Sequence, residues 1–284
     1  MKGISIIGGD LRQLTLFDEL LKEGRKARLF GFSELAERSE QSMKKLEIGN
    51  DIVILPMPVS VDGETVNSVY DKNPVRLDYL LSRLTSANTV FGGRPGKTFF
   101  KALTEKGVKF YDYLDSEELA VKNAVPTAEG AIAIAINETP HTLHGSRCAV
   151  LGGGRIGKAL SSRLKALNAE VTVFARSCDE LAVSYALGAD TFVLSELCNK
   201  ISGFDIIFNT APSMLLNFEM LKRIKHDALI IDLASKPGGV DFAKALELNA
   251  KVIWALSLPG KTAPVTSGKI IKDTILNIIA REEV

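Results

Sequence analysis

An α/β protein of two doubly wound parallel-sheet domains is what the sequence predicts, on three observations. Short apolar runs alternate with segments of helical periodicity along the chain, the pattern of a parallel sheet covered by helices on both faces. The 284 residues suffice for about two domains, each with its own core. In the second half an apolar run breaks into Gly152-x-Gly154-x-x-Gly157 and resumes at helical spacing, the strand–turn–helix context of a Rossmann nucleotide-binding domain.

Taken in order, residues 3–8 read as a buried strand and Gly8-Gly9-Asp10 as its turn. Leu11, Leu14, Phe17, Leu20 and Leu21 then recur at helical spacing. This turn lacks the third glycine of a dinucleotide loop, so no second nucleotide site is expected there. Further strands are expected at 27–30, 51–55, 89–91 and 108–110, with helices at 74–84 and 98–106. They complete a first, flavodoxin-like and substrate-binding domain over residues 1–122. Residues 123–144 read as a connecting helix, opened by Pro126 with Thr127 as N-cap and Glu129 in the first turn. Ala128 and residues 131–136 are apolar around the circumference, which predicts a helix buried on all sides between two domains. The Rossmann domain is expected over 145–264, with strands at 148–151, 171–174, 191–193, 206–208, 229–231 and 252–254. A final helix over 269–279, within a C-terminal segment 265–284, places Ile271, Ile275, Ile278 and Ile279 on one face. It could close the second sheet or return to the first domain.

Bulk composition narrows the function. Hydrophobic content of 46% and charged content of 24% are those of a soluble globular protein, and a formal net charge of +1 gives no electrostatic reason to expect nucleic acid or membrane partners. The apolar helical stretch 128–136 falls short of the ~20 residues of a bilayer span. The first ten residues run directly into a strand and turn without a signal-peptide pattern. Cys148, Cys178 and Cys198 form no CxxC, so neither a disulfide framework nor a metal site is expected, and a reducing cytoplasmic compartment fits.

The glycines carry the clearest chemistry. Gly152 permits the tight turn, Gly154 lets the backbone approach a pyrophosphate, and Gly157 lets helix and strand pack closely. Arg155 and Ile156 open the helix, whose N-terminal N–H groups and partial positive charge suit phosphates. About 20 residues on, where a carboxylate normally accepts the ribose 2′-hydroxyl of NAD, the chain reads Ala175-Arg176-Ser177. An arginine there accommodates the 2′-phosphate of NADP, so NADP is the expected cofactor and NAD the alternative. The competing role for Arg176 is a solvated strand-end cation. Asn209, Thr210 and Pro212, after the fourth strand of this domain, are expected along the ribose and nicotinamide. Thr210 could instead simply open a turn. Asp232 after the fifth strand reads as a turn or capping residue rather than a catalyst, and residues 257–264 as a loop facing a cleft. In the first half Arg12, Arg94 and Lys97 follow strand ends, the last two in the glycine-rich turn 92–97. They are expected to hold a carboxylated substrate through charge-assisted pairs. His141, His144 and His226 do not stand at strand carboxyl ends, so a catalytic histidine is not expected.

Taken together, several segments resemble the A subunit of dipicolinate synthase. They are Gly8-Gly9-Asp10-Leu11-Arg12-Gln13, the run 123–132 around Pro126-Thr127-Ala128-Glu129-Gly130, and the glycine loop 151–157. Asp205-Ile206-Ile207-Phe208-Asn209-Thr210, Leu233-Ala234-Ser235-Lys236-Pro237-Gly238-Gly239 and Leu258-Pro259-Gly260-Lys261-Thr262-Ala263-Pro264 add to these. The resemblance covers essentially the whole chain. It implies NAD(P)-linked oxidation of dihydrodipicolinate, or its hydrated form, to the aromatic dicarboxylate during sporulation, at a branch of the lysine and diaminopimelate route. It also implies an oligomeric assembly with a B-type partner subunit. Thr127 joins Arg12, Arg94 and Lys97 as a substrate-binding residue. More distant relatives are two-domain 2-hydroxyacid and alanine dehydrogenases. The 2-hydroxyacid enzymes carry a Thr-Pro-His near the last strand, where this chain reads Leu258-Pro259-Gly260. Aromatisation lessens the need for a strong acid or base but still requires a proton acceptor, for which Lys261 and Glu129 are the candidates. Two other functions compete: a catalytically silent nucleotide-binding scaffold for a partner, and a 2-hydroxyacid-dehydrogenase-like enzyme acting on another small carboxylate. The missing acid/base pair favours the scaffold, and the cationic turns favour an enzyme.

Overall fold

The computed structural model describes residues 3–35, 46–49 and 51–283. The chain divides into two compact units, Met1–Lys122 with Pro264–Val284, and Asn123–Ala263.

The first unit alternates β1 (Ile4–Ile7), α1 (Leu11–Lys22), β2 (Ala27–Phe30), β3 (Ile52–Ile54), α2 (Leu77–Arg83), β4 (Thr89–Gly92), α3 (Lys97–Glu105) and β5 (Lys109–Asp112). Its strands pair in parallel in the order β2-β1-β3-β4-β5, so the winding reverses between β1 and β3. The two-residue period sends Ile6 and Ile54 to one face, against Leu16 and Leu20, and Ile7 and Val53 to the other, against Leu80 and Leu103. That two-faced burial explains why these strands read as continuous apolar runs.

Helix α4 (Glu117–Glu138) then carries the chain into the second unit. Here the sequence reading needs correction, because Pro126 lies inside the helix rather than at its start and Thr127 is not its N-cap. Proline lacks one backbone donor. The helix nevertheless continues, with buried Ala124 and Ala128 on either side and the Thr127 hydroxyl donating to the Asn123 carbonyl at 2.7 Å. Nor is α4 buried all round: Ala128, Ala131, Ile132 and Ala135 enter a core cluster, while Ala133 and Ile136 are exposed. At 22 residues the helix is long and apolar enough to cross a membrane by length and composition, because it extends the stretch 128–136 at both ends. Its small-residue face packs in a protein core with Leu143, Cys148 and Leu160.

The second unit continues β6 (Arg147–Leu151), α5 (Arg155–Ala166), β7 (Glu170–Ala175), α6 (Cys178–Ala186), β8 (Asp190–Val193), α7 (Leu197–Lys200), β9 (Ile206–Asn209), α8 (Phe218–Leu221), β10 (Leu229–Asp232), α9 (Phe242–Glu247), β11 (Lys251–Trp254) and α10 (Leu258–Thr262). Its sheet is parallel throughout, in the order β11-β10-β9-β6-β7-β8, so the winding reverses between β6 and β9. This is the Rossmann arrangement. Residues 257–264 are not a loop, since α10 occupies most of them behind Ser257, which takes a left-handed conformation (φ 60°). The last helix, α11 (Pro264–Arg281), starts at its proline, as the fixed φ of that residue favours. It packs on α1, with Ile271, Ile275 and Ile278 in the same cluster as Leu16, Phe17 and Leu20.

Candidate functional site

In open α/β sheets ligands collect beyond the strand carboxyl ends, where the winding reverses. In the second unit that point is flanked by the turn after β6 and the turn after β9. The Gly152 backbone is left-handed (φ 109°), and a Cβ there would collide with the Thr210 hydroxyl. A Cβ at Gly157 would collide with the Gly152 carbonyl oxygen, so this glycine seats α5 on the turn. Gly154 is different in kind. It is the N-cap of α5 in extended backbone (φ −73°, ψ −162°), with no side-chain capping bond. Among the described residues beyond its chain neighbours, a Cβ there would meet nothing within 4 Å except Glu180 Oε1 at 4.0 Å. The start of a twelve-residue helix therefore faces open space, with Arg155 and Ile156 in its first turn. Such a terminus suits an anion. The residues present fit a dinucleotide pyrophosphate.

Along this edge Thr210 donates its hydroxyl to the Leu151 carbonyl (3.0 Å), tying the two turns together, and Pro212 is exposed just beyond. Arg176 is exposed at the end of β7, and Ser177 caps α6 by accepting from the N–H groups of Asp179 and Glu180. The Asn209 side chain is turned inward and fully buried, donating through Nδ2 to Asp232 Oδ1 (2.8 Å) and the Ala211 carbonyl (3.1 Å). The cause is register: Asn209 and Asp232 are partners on adjacent strands, and a buried carboxylate demands donors. Asp232 also accepts from the N–H groups of Ala234 (3.0 Å) and Gly239 (2.8 Å), pinning both ends of the turn whose exposed tip is Ser235-Lys236-Pro237. A turn-holding role for Asp232 accords with that network.

The two candidates for proton acceptance are neighbours of one contact. A Cβ at Gly130 would stand 3.0 Å from Thr262 Oγ1, so Glu129 and Lys261 each adjoin the place where α4 meets α10. Both are exposed, and the Glu129 carboxylate lies 3.4 Å from Arg163 Nε. Thr127 already spends its hydroxyl proton on its own helix.

In the first unit Arg12 stands where the winding reverses, its Nη2 3.5 Å from the Met57 carbonyl oxygen across β1 and β3. It is only 9% exposed and paired side-on with Asp10. Asp10 has a second duty, accepting the Arg12 N–H to cap α1 in a box with Gln13. Arg94 and Lys97 are exposed. Arg94 sits in left-handed backbone (φ 51°), and its N–H donates to Asp112 Oδ2 at 2.9 Å. Among the described residues no three His, Cys, Asp or Glu side chains converge as a metal site.

One residue escaped the sequence reading. The half-buried Glu180 leans back over the glycine loop, its Cβ 2.7 Å and its Oε2 3.2 Å from where a Gly153 Cβ would lie. The spacing Ser177-x-x-Glu180, that of a capping box, was the signal available for it.

Comparison with known proteins bears on the same architecture. Residues 3–114 match the family described as the N-terminal domain of the dipicolinate synthase A subunit, and residues 127–243 the NAD binding domain of D-isomer specific 2-hydroxyacid dehydrogenases. Over 285 aligned residues the chain is 34% identical to the A subunit of dipicolinate synthase of Bacillus subtilis, covering 98% of this chain and 95% of that protein. The crystal structure of the dipicolinate synthase A subunit from Bacillus halodurans superposes with a TM-score of 0.90 at 30% identity, covering 98% of each chain. A transhydrogenase from Sinorhizobium meliloti shares the fold alone, with a TM-score of 0.71 at 14% identity over 97% of this chain and 93% of that one.

Proposed function

The chain belongs to the family of dipicolinate synthase A subunits, and on that premise we propose that it oxidises dihydrodipicolinate, or its hydrated form, to dipicolinate with NADP as the preferred cofactor. At the coarser level it is an oxidoreductase with a nicotinamide-dinucleotide-binding domain. The observation that carries the proposal is the uncapped, open N-terminus of α5 at the reversal of the second sheet. When bound there, the nicotinamide cofactor accepts the hydride that the ring gives up. Gly152, Gly154, Gly157 and the first turn of α5 at Arg155 and Ile156 hold its pyrophosphate. Arg176 and Ser177 receive the ribose and its 2′-phosphate. Thr210 and Pro212 border the nicotinamide side, and Asn209 acts through Asp232 and the Ala211 backbone to shape that border.

The substrate's two carboxylates are assigned to Arg94 and Lys97, with Arg12 as a charge-balanced third partner and Thr127 as a polar contact. Support comes from the strand-end placement of the cations and from the left-handed Arg94, since strained backbone collects at ligand sites. Lys261 or Glu129 takes the proton released as the ring becomes aromatic. The Bacillus subtilis relative is named as one subunit of a synthase, which supports a partner subunit, here proposed as B-type, in the cytoplasm of a sporulating cell.

The test is an assay of the purified chain, with and without a B-type partner, using NADP⁺ and fresh dihydrodipicolinate. Coupled growth of pyridine-dicarboxylate and NADPH absorbance is expected. Dinucleotide binding without turnover under either condition would instead favour a silent scaffold.

A further inference from the structure

The fingerprint's usual acid is missing from the end of β7, where Arg176 stands, yet a carboxylate is present nearby in space. Ser177 fixes the first turn of α6 by accepting two of its N–H groups (3.2 and 3.4 Å). That turn packs Glu180 against the glycine loop. Gly153 faces both the Ala175 side chain, 3.3 Å from where its Cβ would lie, and the Glu180 carboxylate, 3.2 Å from the same point. Among the described residues, leaving aside Gly154's own chain neighbours, the other carboxylate oxygen is the nearest atom to the Cβ position at Gly154, at 4.0 Å. Among the described residues no side chain pairs with the Glu180 carboxylate, although the residue is half-buried. An unpaired and partly desolvated charge is costly, so its place beside the loop calls for an external partner.

Resting on the dinucleotide reading, we propose that Glu180 sets the balance between NAD and NADP. Its carboxylate accepts the hydroxyls of the adenosine ribose, the role usually given to an acid at the strand end. Two hydroxyls offer donors to a charged acceptor, which makes the stronger class of hydrogen bond. A 2′-phosphate in the same place would meet like charge from Glu180 and opposite charge from Arg176. The two side chains, four positions apart across the turn from β7 into α6, therefore pull in opposite directions. Glu180 retains NAD, and Arg176 admits NADP.

Calorimetric titration of the full chain with NAD⁺ and with NADP⁺ tests this, alongside melting curves. Glu180→Gln keeps the shape and removes the charge. It is expected to weaken NAD⁺ by about tenfold, for the loss of one charge-assisted bond, while NADP⁺ binding holds or tightens. Glu180→Ser should move the ratio of the two affinities the same way, and Arg176→Ala the opposite way. Equal losses for both cofactors in Glu180→Gln, or no change in either, would overturn the assignment by reducing Glu180 to a structural residue. If the unaltered chain binds neither dinucleotide, the cofactor reading itself falls, and the role of Glu180 with it.

Discussion

The two units use the same opening device, a buried strand, a glycine turn and a twelve-residue helix, and finish it differently. In the first unit the N-cap of α1 is Asp10, which fills the helix terminus with its own carboxylate and holds the Arg12 guanidinium beside it. Gly9 is closed off as well, since a Cβ there would run into the Gln13 side chain. In the second unit the N-cap is Gly154, with no side chain to bond the terminus and open space before it. A helix end that carries its own anion is complete. One that lacks it suits an external anion. In the proposed function the first unit presents anion-binding groups on side chains, whereas the second presents backbone.

The sharpest way to break this contrast is to give the second unit the first unit's cap. Gly154→Asp should self-cap α5, since the backbone there is already extended and aspartate is a favoured N-cap. Dinucleotide affinity should fall by more than about 100-fold, as two charge-assisted bonds are lost and a like charge is added. The melting temperature without cofactor should hold or rise. A variant that melts normally and still binds NADP⁺ would show that the open terminus is not the phosphate site.

Next in size is Arg94→Met, which probes side-chain anion binding in the first unit. It is expected to lower kcat/KM by about 10²-fold through loss of one carboxylate pair. Titrated NADP⁺ affinity should be unchanged. A smaller effect is expected from Arg176→Ala, namely about 10- to 100-fold weaker NADP⁺ with NAD⁺ nearly unaffected, measured by calorimetry. Equal losses would remove Arg176 from the 2′-phosphate. The smallest concerns Asp10→Ala, which opens the α1 terminus. Loss of the cap should cost about 1 kcal/mol and the nearly buried Arg12 loses its carboxylate as well, so Tm should drop by more than roughly 2–4 °C. Dinucleotide affinity should stay as it was, because the proposed dinucleotide site lies in the second unit.

Chain-local patterns were legible to the extent that local physics fixes them. Every strand of the second sheet lies within a residue or two of its expected span, and the four inner strands read as apolar runs because they are buried on both faces. The glycine fingerprint was legible for a like reason: Gly157 excludes a Cβ through the Gly152 carbonyl of the same turn, and Gly152 takes a left-handed backbone that favours glycine. Pro126 misled because its missing donor is a local signal, while the continuation of α4 depends on how its neighbours pack.

What the sequence by itself determined is therefore the parallel α/β architecture, the strand–turn–helix at Gly152–Gly157, and the residue types at the strand ends. Tertiary structure alone decided which of those residues are spoken for. Asn209 is consumed by Asp232 because the two are paired across strands 23 positions apart. α11 belongs with α1 because their apolar faces share one cluster. Glu180 reaches the glycine loop only because α6 docks beside Gly153. The physical reason is common to all three. A charge or an amide is available for function only after its neighbours in space have taken what they need, and folding, not chain order, chooses those neighbours.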